Sequence, residues 1–335
     1  MKVDRSIWGS LDSIGDQAKG IEADGLDGLV ATEVISDPFL PLTIAAEHTK
    51  RVELMTSITV AFARSPMTLA QIGHDLNQFS RGRMILGLGS QIRPHITKRF
   101  SMPWSKPASR MREYVQAMRA IWACWHQGER LNFRGEFYEH TLMTPNFCPP
   151  DTEYGAPRVF VAAVGQKMTE VAGEVADGMI AHGFTTPRYM REVTLPALER
   201  GLEVAGRSRS DIQLVCPVFG LVANNDEQTE QGRAAIKKQL AFYGSTPAYR
   251  PVLELYGWGD VQTDLNHMSK RGKWDEMGDL ITDEIFDEFA FVARPEDYAD
   301  EVIARYGGMV DRVAWNADIG DPDVVRAAIE KLHAN

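Results

Sequence analysis

Cysteine is scarce: Cys124, Cys148 and Cys216 are the only three in 335 residues, and they are too far apart for a disulfide framework. No Cys-x-x-Cys pair marks a thiolate metal site, so the usage fits a reducing, intracellular compartment. No apolar run approaches membrane-spanning length, and Met1-Lys2-Val3-Asp4-Arg5 leads into polar turns without the apolar core of a signal peptide. A cytoplasmic protein without a membrane partner is therefore expected. Positive charge is also short, with 36 Lys and Arg against 46 Asp and Glu for a net charge of −10. No basic stripe compensates, which argues against nucleic acid as a partner. The histidines form no short-spaced pair and no Asp-rich cluster accompanies them, so no metal site is expected. A Gly-x-Ser-x-Gly elbow is missing, and Gly87-Leu88-Gly89-Ser90 lacks the third glycine of a dinucleotide fingerprint.

What is present is a regular alternation of two patterns. Val159-Phe160-Val161-Ala162-Ala163-Val164 is a β-branched apolar run that stops at Gly165. Apolar residues then recur at Met168, Val171, Ala172 and Val175, the spacing of one buried helical face, before Asp177-Gly178 and a second run, Met179-Ile180-Ala181-His182. A helix that starts directly after a strand aims unpaired N–H groups and the positive end of its dipole at the top of the sheet, where a phosphate can sit. Gly165 either lets that ligand approach or supplies a positive φ to a tight turn, and the stretch alone does not choose.

The same alternation runs through the chain. Strands are predicted over 3–8, 28–32, 52–60, 84–88, 159–164, 179–182, 212–222 and 312–316, each followed by at least one helix. Eight such units with no mid-chain break in composition predict an α/β chain, a (β/α)8 TIM barrel forming a single domain over 1–335. Excursions are expected near 89–107, 126–157 and 245–290, the last Trp-, Tyr- and Gly-rich and able to close over a site.

Function in a barrel lies at the carboxyl ends of the strands, which singles out Trp8, Glu33, 57–60, Ser90, Gln91, 165–168, His182 and Asn316 by position. Trp8 and Asn316 also suit rim packing. Glu33 can be an acid or base or simply ion-paired, and His182, before Gly183, can be functional or cap a turn.

Gly82-Arg83-Met84-Ile85-Leu86-Gly87-Leu88-Gly89-Ser90, Arg64-Ser65-Pro66 before a helix, and Gly165-Gln166-Lys167-Met168 with Ala172-Gly173-Glu174-Val175-Ala176-Asp177-Gly178 resemble the bacterial luciferase-like flavin-utilising superfamily. Asp37-Pro38-Phe39-Leu40-Pro41-Leu42, Gly89-Ser90-Gln91-Ile92-Arg93-Pro94-His95 and Lys98-Arg99-Phe100 are similar to its branch of oxidoreductases using the deazaflavin coenzyme F420. The resemblance implies a cofactor ring at the strand carboxyl ends, touched by Ser57, Ile58, Ser90 and Gln91, with its phosphate on Gly165, Gln166, Lys167 and Met168. It also implies a non-prolyl cis peptide at Ser57–Ile58. Deazaflavin dehydrogenases of this kind carry a histidine after the second strand and a carboxylate after the fourth. Here Glu33 and Ser90-Gln91 stand there, so Glu33 or His182 is left as proton donor or acceptor. Trp8 and Trp258 would supply apolar walls and a lid.

The implied activity is F420-dependent hydride transfer to or from a small organic substrate. The alternatives are an FMN-dependent monooxygenase that uses reduced flavin and O2, fed by a partner reductase, and a non-catalytic flavin-binding protein. A homo-oligomer is expected.

Overall fold

The computed structural model describes residues 1–315 and 320–335. Eight parallel strands close on themselves: β1 (Lys2–Ser6), β2 (Gly28–Ala31), β3 (Glu53–Thr56), β4 (Met84–Gly89), β5 (Arg158–Ala163), β6 (Gly178–Ala181), β7 (Gln213–Pro217) and β8 (Arg312–Ala314). Closure comes from β1 pairing β8, with Lys2 opposite Arg312 and Val3 opposite Val313. Helices alternating with these strands include α1 (Leu11–Ala23), α2 (Phe39–His48), α3 (Pro66–Phe79), α4 (Pro107–Gln127) and α5 (Gln166–Val175). The amphipathic spacing read from the sequence sets which faces they bury. Ile14, Ala18 and Ile21 of α1 turn inward, as do Val171, Ala172 and Val175 of α5.

The barrel interior is filled rather than hollow. Val30, Met55, Ile85, Phe160, Ile180 and Val215, one from each of six strands, meet in a cluster against which Ile58 packs. The amino-terminal floor is ionic. Arg312 and Asp4 are fully buried, and Arg312 pairs with both Asp4 and Glu53, which in turn takes Lys2 at 3.0 Å and Arg158 at 2.5 Å. Burial opposes the Glu53 charge, but attraction to Arg312 and Arg158 outweighs it and holds the carboxyl down at about 2.

Two runs read as single strands are broken. The third stops at Thr56 and resumes over Thr59–Val60, which pairs with β4. The seventh ends at Pro217, whose missing N–H cannot extend a ladder, and Phe219–Val222 leaves to pair in parallel with Ala290–Ala293. The strand Ala290–Ala293 is absent from the sequence reading.

The excursions carry structure. Within 126–157 a short hairpin pairs Phe133–Arg134 with Glu139–His140, and the Glu113 carboxylate accepts the N–H groups of Glu136, Phe137 and Tyr138 at 2.8, 2.7 and 2.6 Å. The region 245–290 is largely helical. Arg250–Glu254, Gly259–Lys270 and Asp283–Phe289 join Asp226–Gly244 around a separate core containing Leu240, Leu253, Leu265, Phe286 and Phe289, docked on the barrel through Phe184 and Tyr189. Aromatic pairs such as Tyr256 stacked on Trp258 at 4.6 Å replace the aliphatic period a sequence scan looks for. Among the described residues, no helix is long and apolar enough to cross a membrane.

Candidate active site at the carboxyl rim

β2, β3, β4, β5 and β6 are neighbours in that order, so the groups at their carboxyl ends share one rim. Glu33 follows β2. Its backbone N–H donates to Ile58 O at 3.2 Å, and its Oε2 accepts from Val60 N–H at 2.8 Å and Thr59 Oγ1 at 3.0 Å. Arg64 closes the arrangement, its Nη1 donating to Glu33 Oε2 at 2.7 Å and its Nη2 to Asp37 Oδ2 at 2.8 Å. Asp37 also caps α2, taking Phe39 N–H on Oδ1 at 2.8 Å. Burial works against the Arg64 guanidinium, yet Glu33 and Asp37 hold its pKa above the ordinary value. The Glu33 carboxylate is thus fully engaged in bracketing 58–60. Sequence reasoning saw Arg64 only beside the Ser65 cap of α3; its carboxylate partners lie 27 to 31 residues away and carry no local signal.

Between those braces the Ser57–Ile58 peptide bond is cis. The Gly-Leu-Gly sequence of β4 explains how this segment is accommodated. A Cβ at Gly89 would lie 2.6 Å from Ile58 Cδ1, and one at Gly87 would lie 1.8 Å from the Thr56 carbonyl oxygen. The Thr56 hydroxyl bridges Gly87, donating to its O and accepting from its N–H, both at 2.9 Å. These glycines therefore make room for the third strand. Ser90 and Gln91, both half-buried, follow β4; Ser90 Oγ donates to Gln91 O at 3.2 Å, and Gln91 adopts φ 56° with its Oε1 accepting Ile92 N–H at 3.0 Å.

At the end of β5, Gly165 is the N-cap of α5 with φ −92° and no side-chain cap. That backbone suits any residue, so a positive φ is not why glycine stands here. A Cβ at 165 would meet nothing within 4 Å. Met168 and Thr169 N–H both donate to Gly165 O at 3.1 Å, whereas Gln166 and Lys167 N–H donate no hydrogen bond among the described residues. Two amide hydrogens and the helix dipole thus face open space beside exposed Lys167.

His182 follows β6. Its Nδ1 accepts Phe184 N–H at 2.9 Å, so it does cap a turn, and the proton of the neutral ring is left on Nε2. Tyr249 stacks on the imidazole at 4.5 Å and Tyr243 meets it edge-on at 4.8 Å, both supplied by the segment after β7. Burial pushes the imidazole down to about 4. No sequence signal tied Tyr243 or Tyr249 to His182. Trp8 is 57% exposed on the rim, Trp258 stacks on Tyr256, and Asn316 lies outside the described residues.

The opposite end of the barrel has a cavity of about 430 Å³ lined by Lys2, Asp27, Arg209, Asp311 and His333. Its side chains are partnered: Arg209 with Asp311 and His333 with Asp27, each at 2.7 Å, and Lys2 with Glu53 of the ionic floor at 3.0 Å. No cluster of three His, Cys, Asp or Glu side chains able to hold a metal occurs among the described residues.

The family model for luciferase-like monooxygenases matches residues 3–312. The chain belongs to the luciferase-like monooxygenase family. This luciferase-like chain is 50% identical over 330 residues to an uncharacterized protein of Mycobacterium tuberculosis, covering 98% of this chain and 97% of that one. It is 28% identical over 289 residues to the 5,10-methylenetetrahydromethanopterin reductase of Archaeoglobus fulgidus, 84% of this chain and 81% of the other. The coenzyme F420 dependent tetrahydromethanopterin reductase from Methanopyrus kandleri shares the fold with a TM-score of 0.80 at 18% identity, over 99% and 98% of the two chains.

Proposed function

We propose that this protein is an F420-dependent oxidoreductase that transfers a hydride between the deazaflavin and a small organic substrate. The observation that carries the reading is the turn at 165–168: a helix start with two undonated N–H groups, nothing within 4 Å of where a Gly165 Cβ would stand, and a glycine that neither its φ nor its neighbours require. Such a turn fits a ligand phosphate. Similarity to a putative coenzyme F420-dependent oxidoreductase of Mycobacterium tuberculosis, 28% identical over 288 residues and 81% of each chain, favours the deazaflavin as the bearer of that phosphate.

When bound, the deazaflavin supplies the hydride chemistry. The chain's own groups do the rest. Gln166 and Lys167 N–H, with the Lys167 ammonium, hold the phosphate. Ser57 and Ile58, fixed by Glu33 from one side and Gly89 from the other, back the ring, with Ser90 and Gln91 beside them. In this reading Glu33 positions that segment. His182 is the group at the rim with a proton to offer: neutral at pH 7, it presents Nε2–H as a hydrogen-bond donor to substrate oxygen or nitrogen. The family is named for luciferase-like monooxygenases, so the test sets the two chemistries side by side. With reduced F420 under anaerobic conditions the reading predicts substrate reduction across a panel of imines, aldehydes and ketones. Turnover only with reduced FMN, accompanied by oxygen consumption, would overturn it.

A further inference from the structure

Charge is unevenly spread along the chain. Residues 76–112 hold eight of the 36 Lys and Arg and none of the 46 Asp and Glu. Most of these cations are spent on the fold. Arg83 donates to the carbonyls of Ser80, Val52, Ala46 and Thr49, and Arg110 is buried between the Phe62 and Tyr138 rings. Lys106 pairs Glu136 and Arg112 pairs Glu174, both at 2.7 Å. Arg81, with φ 59°, turns the chain before β4 at the amino-terminal end. The other three, Arg93, Lys98 and Arg99, stand exposed on the loop after β4, and none has a carboxylate partner among the described residues.

The loop that carries them is held in shape by its own bonds. His95–Arg99 is a single π-helical turn anchored by buried Ile96, with Thr97 Oγ1 donating to Arg93 O at 2.9 Å and Phe100 N–H to His95 O at 3.0 Å. Such turns concentrate at functional sites. Arg99 Nη2 donates to Val34 O at 2.6 Å, which ties the turn to the loop after β2, where Val34 is exposed and its neighbour Ile35 is 94% exposed. Only Ile92, also exposed, separates Arg93 from Gln91. The cations therefore border the part of the rim given to the ring. The phosphate turn follows β5, and β4 and β3 stand between it and β2.

We propose that the substrate is an organic acid whose carboxylate is held by Arg93, Lys98 and Arg99 while its apolar body lies against Val34, Ile35 and Ile92. This rests on the deazaflavin reading and narrows its substrates to acids that also carry a carbonyl or imine. Two guanidinium forks and an ammonium on one turn match a single carboxylate, and they are too few for a polyanion. In a chain of net charge −10 the rest of the surface repels an acid, so a local cationic turn decides where it lands. The exposed aliphatic side chains next to that turn suit the hydrocarbon part of the same molecule.

The test uses pyruvate, levulinate and benzoylformate, each beside its neutral methyl ester. Binding is measured by calorimetry on the full-length protein with and without F420, and turnover with reduced F420 under anaerobic conditions. At least one acid should bind about tenfold or more tightly than its ester, and added salt should erode that advantage. Arg93→Glu combined with Lys98→Glu should bring the acid down to the level of the ester, with the melting temperature and the F420 affinity as in wild type. Equal binding of every acid and its ester, or an acid preference that survives the charge reversal, would overturn the proposal. Weaker F420 binding in the variant would assign the cations to carboxylates of the cofactor and overturn it as well. An acid preference in binding without F420-dependent turnover would defeat the deazaflavin reading and leave the acid site standing, whereas turnover that ignores the acid group would do the reverse.

Discussion

Gly89 and Ile58 fit together as a gap and its filling: a Cβ on Gly89 would stand 2.6 Å from Ile58 Cδ1 and 3.3 Å from Ile58 Cβ. The segment at the end of the third strand therefore depends on a residue of the fourth that has no side chain. Gly89→Ala should force Ile58 away and cost about 1 to 3 kcal/mol of stability, the usual range for overpacking. Urea unfolding measures the loss. An unchanged midpoint would mean that Ile58 is free to move.

Glu33 gives a second prediction. Glu33→Gln keeps an acceptor for Thr59 and Val60 but removes the charge facing Arg64, which retains Asp37. A loss of roughly 2 kcal/mol is expected, below the range for a fully orphaned buried charge. If Glu33 only positions the segment, the variant should lower turnover without shifting the pH profile of kcat/KM. Loss of one limb of that profile would instead make Glu33 the acid or base.

The pH response of His182 has a definite sign. Its folded pKa of about 4 lies below the ordinary 6.5, so the neutral ring is what the fold holds. Above pH 6.5 folded and unfolded forms are both neutral there and no penalty exists. Between 6.5 and 4 the unfolded chain binds a proton that the folded chain refuses, and stability falls with pH by about 3 kcal/mol. His182→Asn should flatten that part of the stability curve. An NMR titration of the His182 ring with its midpoint near 6.5 would contradict the account.

Glu53 titrates with the opposite charge but the same acid sensitivity. Its folded pKa of about 2 lies below the ordinary 4.5, so the stabilisation from Arg312 and Arg158 is complete above pH 4.5 and drains away as pH falls toward 2. Glu53→Gln should destabilise the protein by roughly 3 kcal/mol at pH 7, because Arg312 is fully buried. Below pH 4 the gap from wild type should narrow. A constant gap across that range would show that the floor charges contribute nothing through ionisation.

The barrel was legible because its signals are local. β-branched runs, the Asp177-Gly178 turn and the helical spacing of Met168, Val171, Ala172 and Val175 each occupy a few consecutive residues. The helix start after Gly165 was legible for the same reason, and the cis position came from the resemblance carried by the surrounding motifs. What was not legible is long-range. Arg64 finds Glu33 and Asp37 only once β2 and β3 are side by side, and Tyr249 reaches His182 from an excursion. Phe219–Val222 and Ala290–Ala293 pair across the whole helical insertion, so neither strand announces the other.

The central claim rests on the turn at Gly165 and is measured by equilibrium titration of purified protein with F420, wild type beside Gly165→Leu. Because a Cβ there meets no protein atom, the variant should keep the wild-type melting temperature. The account predicts F420 binding in preference to FMN and at least about tenfold weaker affinity in the variant, the size of one or two lost charge-assisted hydrogen bonds. Equal F420 affinity in the two proteins, with equal melting temperatures, would contradict it.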